Sequence, residues 1–216
     1  MKTRTLLLAF LAALAPAVEA QTHQLFNGKN LDGWIFLSNQ PGPAGFAVNH
    51  GVLETTDGNK GMLCYTKEKI GKATIRVVYK MSNEKGNSGV FIRIPTEPKS
   101  EADAINKGIE VQIDNRDDDW HCTGVLYSMT KAMARPYKPS GEWNTMEITL
   151  DGLRTIVKVN GTLVTDYDGV SPVPEKKKSY EPERGPRPPE GYIALQHHDT
   201  VAVISFKEVS VTPLKH

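Results

Sequence analysis

The sequence 108–115, GIEVQIDN, alternates strictly between apolar and polar residues. The apolar members are Ile109, Val111 and Ile113, and the polar members are Glu110, Gln112 and Asp114. Successive side chains of a β-strand point to opposite faces of its sheet, so this stretch predicts a strand with one apolar and one polar face. An ordinary strand with a solvated outer face has the same pattern, so alternation by itself does not identify a site.

The preceding stretch 88–95, SGVFIRIP, predicts a neighbouring strand in which Val90, Ile92 and Ile94 pack inward. Phe91 and Arg93 then lie on the opposite face, and pairing of the two strands puts them beside Glu110. A cation, an aromatic ring, an amide and two carboxylates on one surface suit a sugar. The alternative is that Arg93 and Glu110 form a cross-strand ion pair on a solvated face.

Short alternating stretches separated by turn dipeptides continue along the chain, as in 73–81, ATIRVVYKM. Asn160-Gly161 predicts a tight hairpin between two strands, and a second hairpin is expected around 49–51. A helical turn is expected only at 101–106, and the proline-rich segment 171–190 is expected to be a flap beside a site or a mobile loop. The pattern predicts an all-β, two-sheet antiparallel sandwich.

Residues 1–20 have the organisation of a secretory signal peptide. Lys2 and Arg4 form a positive start, residues 6–18 are apolar and rich in alanine, and 18–20 offers small residues for cleavage near Ala20. No second hydrophobic stretch of membrane-spanning length follows. We expect a periplasmic or secreted protein with no membrane segment after cleavage, and an uncleaved anchor is the alternative.

The chain from residue 21 to 216 carries equal numbers of acidic and basic residues and is expected to form one domain. Because it has no basic stripe, nucleic acid and anionic membranes are disfavoured as partners. Its cysteines, Cys64 and Cys122, form a disulfide or remain two separately buried thiols. The oligomeric state is left open.

Six motifs occur in an order that resembles the 3-keto-disaccharide hydrolase family. They are LFNGKNLDGW (25–34), GNSGVFIR (86–93), GIEVQIDN (108–115), TGVLY (123–127), GEWN (141–144) and GYIALQHH (191–198). The resemblance implies a concanavalin A-like jelly roll, usually exported, with a carbohydrate site on its concave sheet. It also implies action on 3-keto-glycosides, by elimination or net hydrolysis. The segments 95–107 and 171–190 vary within the family and would border the site, so substrate choice is not implied.

A conventional glycosidase needs two carboxyl groups, about 5–5.5 Å apart for retention or about 6.5–9.5 Å for inversion. Glu110 and Asp114 lie four residues apart on one strand, which is roughly 13 Å. A bulge that shortens this gap, or a second carboxylate from Asp117, Asp118 or Asp119, would be needed. The spacing therefore favours chemistry that requires only one base.

A ketone at C3 acidifies the C2 proton, so a single base can form an enolate and expel the group on C1. Glu110 is the predicted base, and Arg93 the predicted oxyanion stabiliser or sugar clamp. His198 or His121 is the predicted proton donor, and Gln112 would orient a hydroxyl group.

Further substrate contacts are predicted at Asp114, Phe91, Trp120, Tyr127, Gln196 and Asn87. Gln196 shares a face with Tyr192, whereas His197 alternates with core positions and is expected to be a core or edge histidine whose hydrogen bonds are satisfied. Trp120 is either a sugar platform or a loop residue that covers the core. Asn87 is either a contact or part of the turn into its strand.

No cofactor is predicted, although a divalent cation remains possible. The acidic stretch around 114–119 supplies oxygen ligands, but it lacks the spacing and glycine of a calcium loop, so an exposed acidic turn is the favoured interpretation. The predicted partner is a carbohydrate, specifically a 3-keto-glucoside. The alternatives are a non-catalytic lectin-like module and a conventional glucan glycosidase.

Overall fold

The computed structural model of the protein describes residues 21–116 and 118–215. The predicted signal peptide and Asp117 lie outside the described residues. The bounds of the strands and the helix are β1 His23–Gln24, β2 Trp34–Leu37, β3 Phe46–Asn49, β4 Val52–Thr55, β5 Gly61–Ile70, β6 Ala73–Met81, β7 Asn87–Ile94, α1 Glu101–Lys107, β8 Ile109–Asp114, β9 Asn144–Asp151, β10 Arg154–Val159, β11 Thr162–Tyr167, β12 Gly191–His197 and β13 Ile204–Pro213.

The strands form two antiparallel sheets packed face to face, which confirms the predicted jelly-roll sandwich. The larger sheet has the order β11-β10-β9-β6-β13-β4-β3, with β1 paired to β13. The smaller sheet has the order β2-β5-β12-β7-β8. The predicted strand at 73–81 is β6, and its inward residues, such as Ile75 and Val77, are fully buried in the core between the sheets.

The predicted hairpins have the backbone conformation that their turn residues favour. Asn160 and Gly161 join β10 to β11 with φ angles of 49° and 80°, and His50 and Gly51 join β3 to β4 with φ angles of 48° and 82°. Two successive positive φ angles match the right-handed twist of the flanking strands. These turns therefore fix strand register locally, as the sequence predicts.

A bulge in β7 overturns the predicted positions of Arg93 and Ile94. Tyr192 pairs with Ile94 and Ala194 pairs with Phe91, so two residues of β7 face one residue of β12. Arg93 has a φ of 58°, a conformation rarely adopted by residues with side chains. The extra residue reverses the alternation, so Arg93 turns toward the larger sheet and Ile94 turns away from it. The alternation rule failed here because it assumes an unbroken strand.

The smaller sheet also carries a second apolar cluster on its outer face, the face turned away from the larger sheet. Its buried members are Met62, Cys64, Phe91, Ile94, Ala104 and Ala194. Helix α1 covers this cluster through Ala104, and its N-cap Ser100 accepts a hydrogen bond from the Asp103 amide. The helical turn predicted at 101–106 is thus confirmed, and it forms one wall beside the polar part of the outer face.

The segment 171–190, here called the strap, is held by arginines that donate to backbone carbonyls. Arg184 donates to the carbonyls of Pro174 and Pro182, and Arg187 donates to those of Asn106 and Gly108. These bonds fasten the strap to itself and to the end of α1, which favours the flap over the mobile loop. No helix in the described part of the chain has the length and apolar character needed to cross a membrane.

The two cysteines are free and buried in different clusters. Cys122 lies in the core between the sheets, and Cys64 lies in the outer cluster. Burial raises the pKa of the Cys64 thiol to about 12, so this thiol is not a reactive thiolate near neutral pH. Of the two possibilities that the sequence allowed, the structure has the separate thiols.

Candidate active site

The outer face of the smaller sheet forms the floor of a cleft of about 480 Å³, here called the first cleft. Its polar floor residues are Asn87, Glu110, Gln112 and Gln196. These belong to β7, β8 and β12, which are neighbours in the sheet, so strand order brings together residues that are far apart in sequence. Loops and α1 form the rim through Asn39, Lys60, Glu101, Tyr127, Tyr180 and His198.

Glu110 is a buried carboxyl group at the floor of the first cleft. Only 8% of the residue is exposed, and burial raises the pKa of its carboxyl group from its usual acidic value to about 8. Loss of hydration disfavours the charged form, which is the cause of this shift. A carboxyl group whose pKa lies near neutrality is well suited to take or give a proton at physiological pH.

Two neighbours determine where the Glu110 carboxyl group lies. With its amide nitrogen turned inward, Gln112 donates to Glu110 Oε1 at 2.9 Å and to the Ser88 carbonyl at 3.2 Å, an orientation that satisfies both ends of the amide. Gly89 faces Gln112 across the β7–β8 ladder, and a side-chain carbon at position 89 would overlap the Glu110 carboxyl group. Gly89 therefore provides the space that the carboxyl group occupies.

Two polar atoms near the cleft have no hydrogen-bond partner among the described residues. Gln196 Oε1 is buried and unpaired, so it can accept a hydrogen bond from a ligand. His197 Nδ1 lies 2.9 Å from the Asn59 carbonyl and must donate to it, whereas Nε2 is buried and unpaired. His197 is a core histidine, as predicted, but only one of its nitrogens is satisfied.

The rim contains residues that sequence reasoning missed. Lys60 precedes β5 and brings a cationic group to the first cleft, and Glu101 on α1 brings a second carboxyl group. Asn39, Asn106 and Tyr180 also belong to this set. No local pattern marks any of them, because they lie in loops or on the short helix and meet only after the sandwich closes.

A second cleft of about 440 Å³ lies beside the first and shares Tyr127 and Tyr180 with it. Trp120 and His121 line this second cleft, and the strap forms its other wall. The His121 ring lies 4.8 Å from the Tyr127 ring, and its Nδ1 lies 2.9 Å from Asp118 Oδ1. The two predicted histidines are therefore separated, because His198 lines the first cleft and His121 the second.

The predicted shared face of Arg93 and Glu110 is wrong. Arg93 is only 1% exposed and extends toward the edge of the larger sheet. Its guanidinium donates to the carbonyls of Gly152, Arg154 and Pro188 at 2.9 Å, and to Thr155 Oγ1 at 3.2 Å. Burial lowers its pKa to about 10, so it is still charged at neutral pH. Arg93 joins both sheets and the strap, so it has a structural position and does not reach the first cleft.

Phe91 and Asp114 also lie outside both clefts, in contrast to their predicted substrate contacts. Phe91 points outward as expected, but it is buried in the cluster beneath α1. Asp114 is buried at the end of β8, where its two oxygens accept bonds from the Arg116 side chain at 3.1 and 2.7 Å. Its carboxylate shapes the following loop instead of facing a ligand.

Among residues 21–116 and 118–215, no group of three histidine, cysteine, aspartate or glutamate side chains is arranged to hold a metal ion.

Comparison with known proteins shows the fold and the family. A Parabacteroides distasonis protein described as a candidate glycosyl hydrolase is 24% identical, with a TM-score of 0.70 over 90% of this chain and 100% of that chain. The carbohydrate-binding module CBM66 from Bacillus subtilis is 16% identical, with a TM-score of 0.52 over 82% and 94%. A Bacillus licheniformis β-glucanase is 13% identical, with a TM-score of 0.53 over 91% and 99%. A search of curated proteins found no match.

These structural relatives support the sandwich fold. The family model of the 3-keto-alpha-glucoside-1,2-lyase-like domain matches residues 21–212, nearly the whole of the described chain. The chain therefore belongs to the 3-keto-alpha-glucoside-1,2-lyase-like domain family, and with it to the carbohydrate-active, glycosidase-like enzymes.

Proposed function

We propose that this protein is an exported enzyme that cleaves the glycosidic bond of 3-keto-glucosides, with Glu110 as the base. The observation that carries the proposal is the buried carboxyl group of Glu110 in the first cleft, with its pKa raised to about 8. A base of this strength remains partly ionised at neutral pH and is a much stronger proton acceptor than an ordinary carboxylate. The match to the 3-keto-alpha-glucoside-1,2-lyase-like domain supports the choice of substrate class.

The reaction needs one proton removed and one bond broken. Ionised Glu110 takes the proton from C2, which the C3 ketone acidifies, and the electron pair of the C–H bond forms an enolate with the charge on the C3 oxygen. The enolate collapses, the double bond forms between C1 and C2, and the bond from C1 to the leaving oxygen breaks. The products are a 2-hydroxy-3-keto-glycal and the protonated leaving group. Addition of water to the glycal gives net hydrolysis.

The residues of the first cleft provide the remaining contacts. Lys60 is the cation available to the enolate oxygen, and it takes the role predicted for Arg93. Asn87 offers a side-chain amide, and the unpaired Oε1 of Gln196 accepts from a sugar hydroxyl. The leaving oxygen takes its proton from a histidine, either His198 of the first cleft or His121 of the second.

A conventional glycosidase is the second candidate, because the first cleft contains two carboxyl groups. Glu101 on the rim accepts a bond from the Asn39 amide at 3.2 Å, and Glu110 lies at the floor. A protonated Glu110 acting as general acid with Glu101 as its partner would cleave unoxidised glucosides.

The test is incubation of the protein with matched glucosides, unoxidised and 3-keto, in heavy water, followed by mass spectrometry. Cleavage of the 3-keto form alone is the expected result, with the C2 hydrogen absent from the glycal and deuterium at C2 in the 3-keto-glucose that forms when heavy water adds to the glycal. Cleavage of the unoxidised glucoside would overturn the elimination mechanism and favour the Glu101–Glu110 pair. Binding of sugars without cleavage of either form would overturn the proposal and make the protein a lectin-like module.

Glu110→Gln tests the assignment of the base. We expect the rate of 3-keto-glucoside cleavage to fall by about 10²–10⁴-fold, the usual contribution of a positioned base. Glu142→Gln, which changes an exposed glutamate on a loop outside both clefts, should retain the full rate. Undiminished activity of Glu110→Gln would exclude this residue as the base.

Export is tested separately. The protein recovered from the periplasm or the medium of producing cells should begin near Gln21, which intact-mass measurement would reveal. A protein retained in the cytoplasm with residues 1–20 intact would contradict this part of the proposal.

A further inference from the structure

We infer that the second cleft is the subsite for the leaving group, a neutral hydroxylated ring with one flat apolar face. This inference rests on the proposed function, because it assigns the two clefts to the two sides of the bond that is cleaved. The glucosyl ring occupies the first cleft, and the group on C1 occupies the second.

Tyr127 lies at the boundary between the two clefts, and this boundary is next to the proposed base. Tyr127 lines both clefts, and its amide donates to the Glu110 carbonyl at 2.9 Å, so the boundary between the clefts lies next to the proposed base. The carbon that carries the leaving group, C1, is bonded to C2, from which the base removes the proton. A sugar with C2 at Glu110 therefore has its leaving group close to the boundary.

The walls of the second cleft are fixed by buried contacts. Arg184 on the strap donates to Ser128 Oγ at 2.9 Å and to Glu181 Oε2 at 2.8 Å, which joins the strap to the loop after β8. Glu181 is itself buried and also accepts a bond from the Lys177 amide. Because these charged groups are engaged in holding the walls, the cleft keeps its shape without a ligand.

The chemistry of the lining selects a neutral ring. The acidic residues are Asp118, Glu175 and Glu181, and the basic residues are Lys177, Lys178 and Arg184, so the charges balance. Trp120 provides an aromatic surface, and Tyr180 stands at the entrance of both clefts with 63% of its surface exposed. Aromatic rings stack against the flat apolar faces of sugars and phenols, while the surrounding polar groups bind hydroxyls.

The test uses binding, so that it does not depend on turnover. Methyl, phenyl and glucosyl glucosides, each unoxidised and 3-keto, are titrated into the Glu110→Gln protein by calorimetry. We expect a ring aglycone to bind roughly tenfold more tightly than the methyl group, the equivalent of one stacked pair. A comparison of the affinities of the phenyl and glucosyl glucosides shows whether the natural leaving group is a phenol or a second sugar.

In the Glu110→Gln protein, the further substitution Trp120→Ala should abolish the tighter binding of glucosides with a ring aglycone, whereas Trp143→Ala should preserve it. Trp143 is the matched control, because it lies between Lys80 and Lys207 and lines neither cleft. Tyr180→Ala serves as a second variant that truncates an exposed side chain, and it should reduce the advantage without loss of folding. Equal binding of methyl and ring glucosides, or an advantage that survives both Trp120→Ala and Tyr180→Ala, would overturn the inference.

The same titrations separate this inference from the proposed function. A ring advantage that depends on Trp120 and appears equally with unoxidised and 3-keto glucosides would support the leaving-group subsite and count against 3-keto specificity. A preference for 3-keto sugars with no ring advantage would support the substrate and overturn the subsite.

Discussion

Arg93 and Glu110 are two buried ionisable residues on paired strands, and their surroundings are opposite. Arg93 has a hydroxyl and three carbonyls as acceptors around its guanidinium. Glu110 lies at the floor of an open cleft, and the side-chain donor directed at its carboxyl group is the Gln112 amide. Burial lowers the pKa of Arg93 to about 10 and raises that of Glu110 to about 8. Only the second shift brings a group into the range in which it exchanges protons near neutrality.

The difference shows how a structural charge is distinguished from a functional one. A buried charge surrounded by fixed acceptors is stabilised by the fold, and the fold loses stability when that charge is removed. A buried carboxyl group with few donors costs stability when it ionises, and a protein retains such a cost mainly at functional sites. Removing Arg93 should therefore weaken the fold, whereas removing the charge of Glu110 should weaken only the chemistry.

The largest effect on stability is expected for Arg93→Ala. Its removal leaves the carbonyls of Gly152, Arg154 and Pro188 without their donor, so we expect a loss of about 3–5 kcal/mol in the free energy of unfolding. The melting temperature should fall by roughly 10 °C for a chain of this size, measured by thermal denaturation. Arg76→Ala removes a half-exposed arginine in surface ion pairs and should cost less than about 1 kcal/mol. Similar losses for both variants would contradict the structural role of Arg93.

A smaller and pH-dependent effect is expected for Glu110→Gln. The pKa of Glu110 in the folded protein, about 8, is higher than in the unfolded chain. The contribution of this group to the free energy of unfolding is therefore complete only at acidic pH, and it is lost as the pH rises toward 8. The wild type should lose about 4 kcal/mol relative to Glu110→Gln between pH 5 and pH 9.

Urea denaturation at both pH values measures the difference. Glu142→Gln should follow the wild type, since this glutamate is exposed and solvated in both states. If the difference in stability between wild type and Glu110→Gln does not change with pH, then folding does not raise the pKa of the Glu110 carboxyl group.

The smallest effect is expected for Gln112→Met, which keeps the approximate volume of the side chain but removes its amide. The Gln112 donor at 2.9 Å stabilises ionised Glu110, so its loss should raise the pKa of that carboxyl group further. The rise of kcat/KM with pH, expected in the wild type near pH 8, should move upward by roughly one pH unit. An unchanged pH profile would show that Gln112 does not contact Glu110 in solution, or that another group is the base.

Parts of both sheets could be predicted from the sequence. The alternation in GIEVQIDN gave β8 with Glu110 and Gln112 on its outer face, and the turn residues gave the hairpins. Asn87 and Gln196 were predicted contacts, and strand order brings both to the first cleft. The strand and hairpin predictions are confirmed, because strand alternation and tight turns depend on residues that are adjacent in the chain. Contact of Asn87 and Gln196 with a ligand stays a prediction.

The errors come from features that are not local. The bulge that turns Arg93 inward depends on how β7 pairs with β12, about one hundred residues later in the chain. Phe91 has the direction predicted for it, but α1 covers its cluster. Asp114 is occupied by Arg116, two residues away, so a turn takes the carboxylate that was predicted to contact a ligand.

The strands, their turns, the outward direction of Glu110 and the family resemblance all follow from short-range pattern or from ordered motifs, so they can be read from the chain alone. The packing of the folded chain sets which polar groups meet. It brought Lys60 and Glu101 to the rim of the first cleft and laid the strap beside Trp120 to form the second. It also buried Glu110 enough to raise its pKa, since desolvation depends on all the atoms packed around a group and not on its neighbours in the chain.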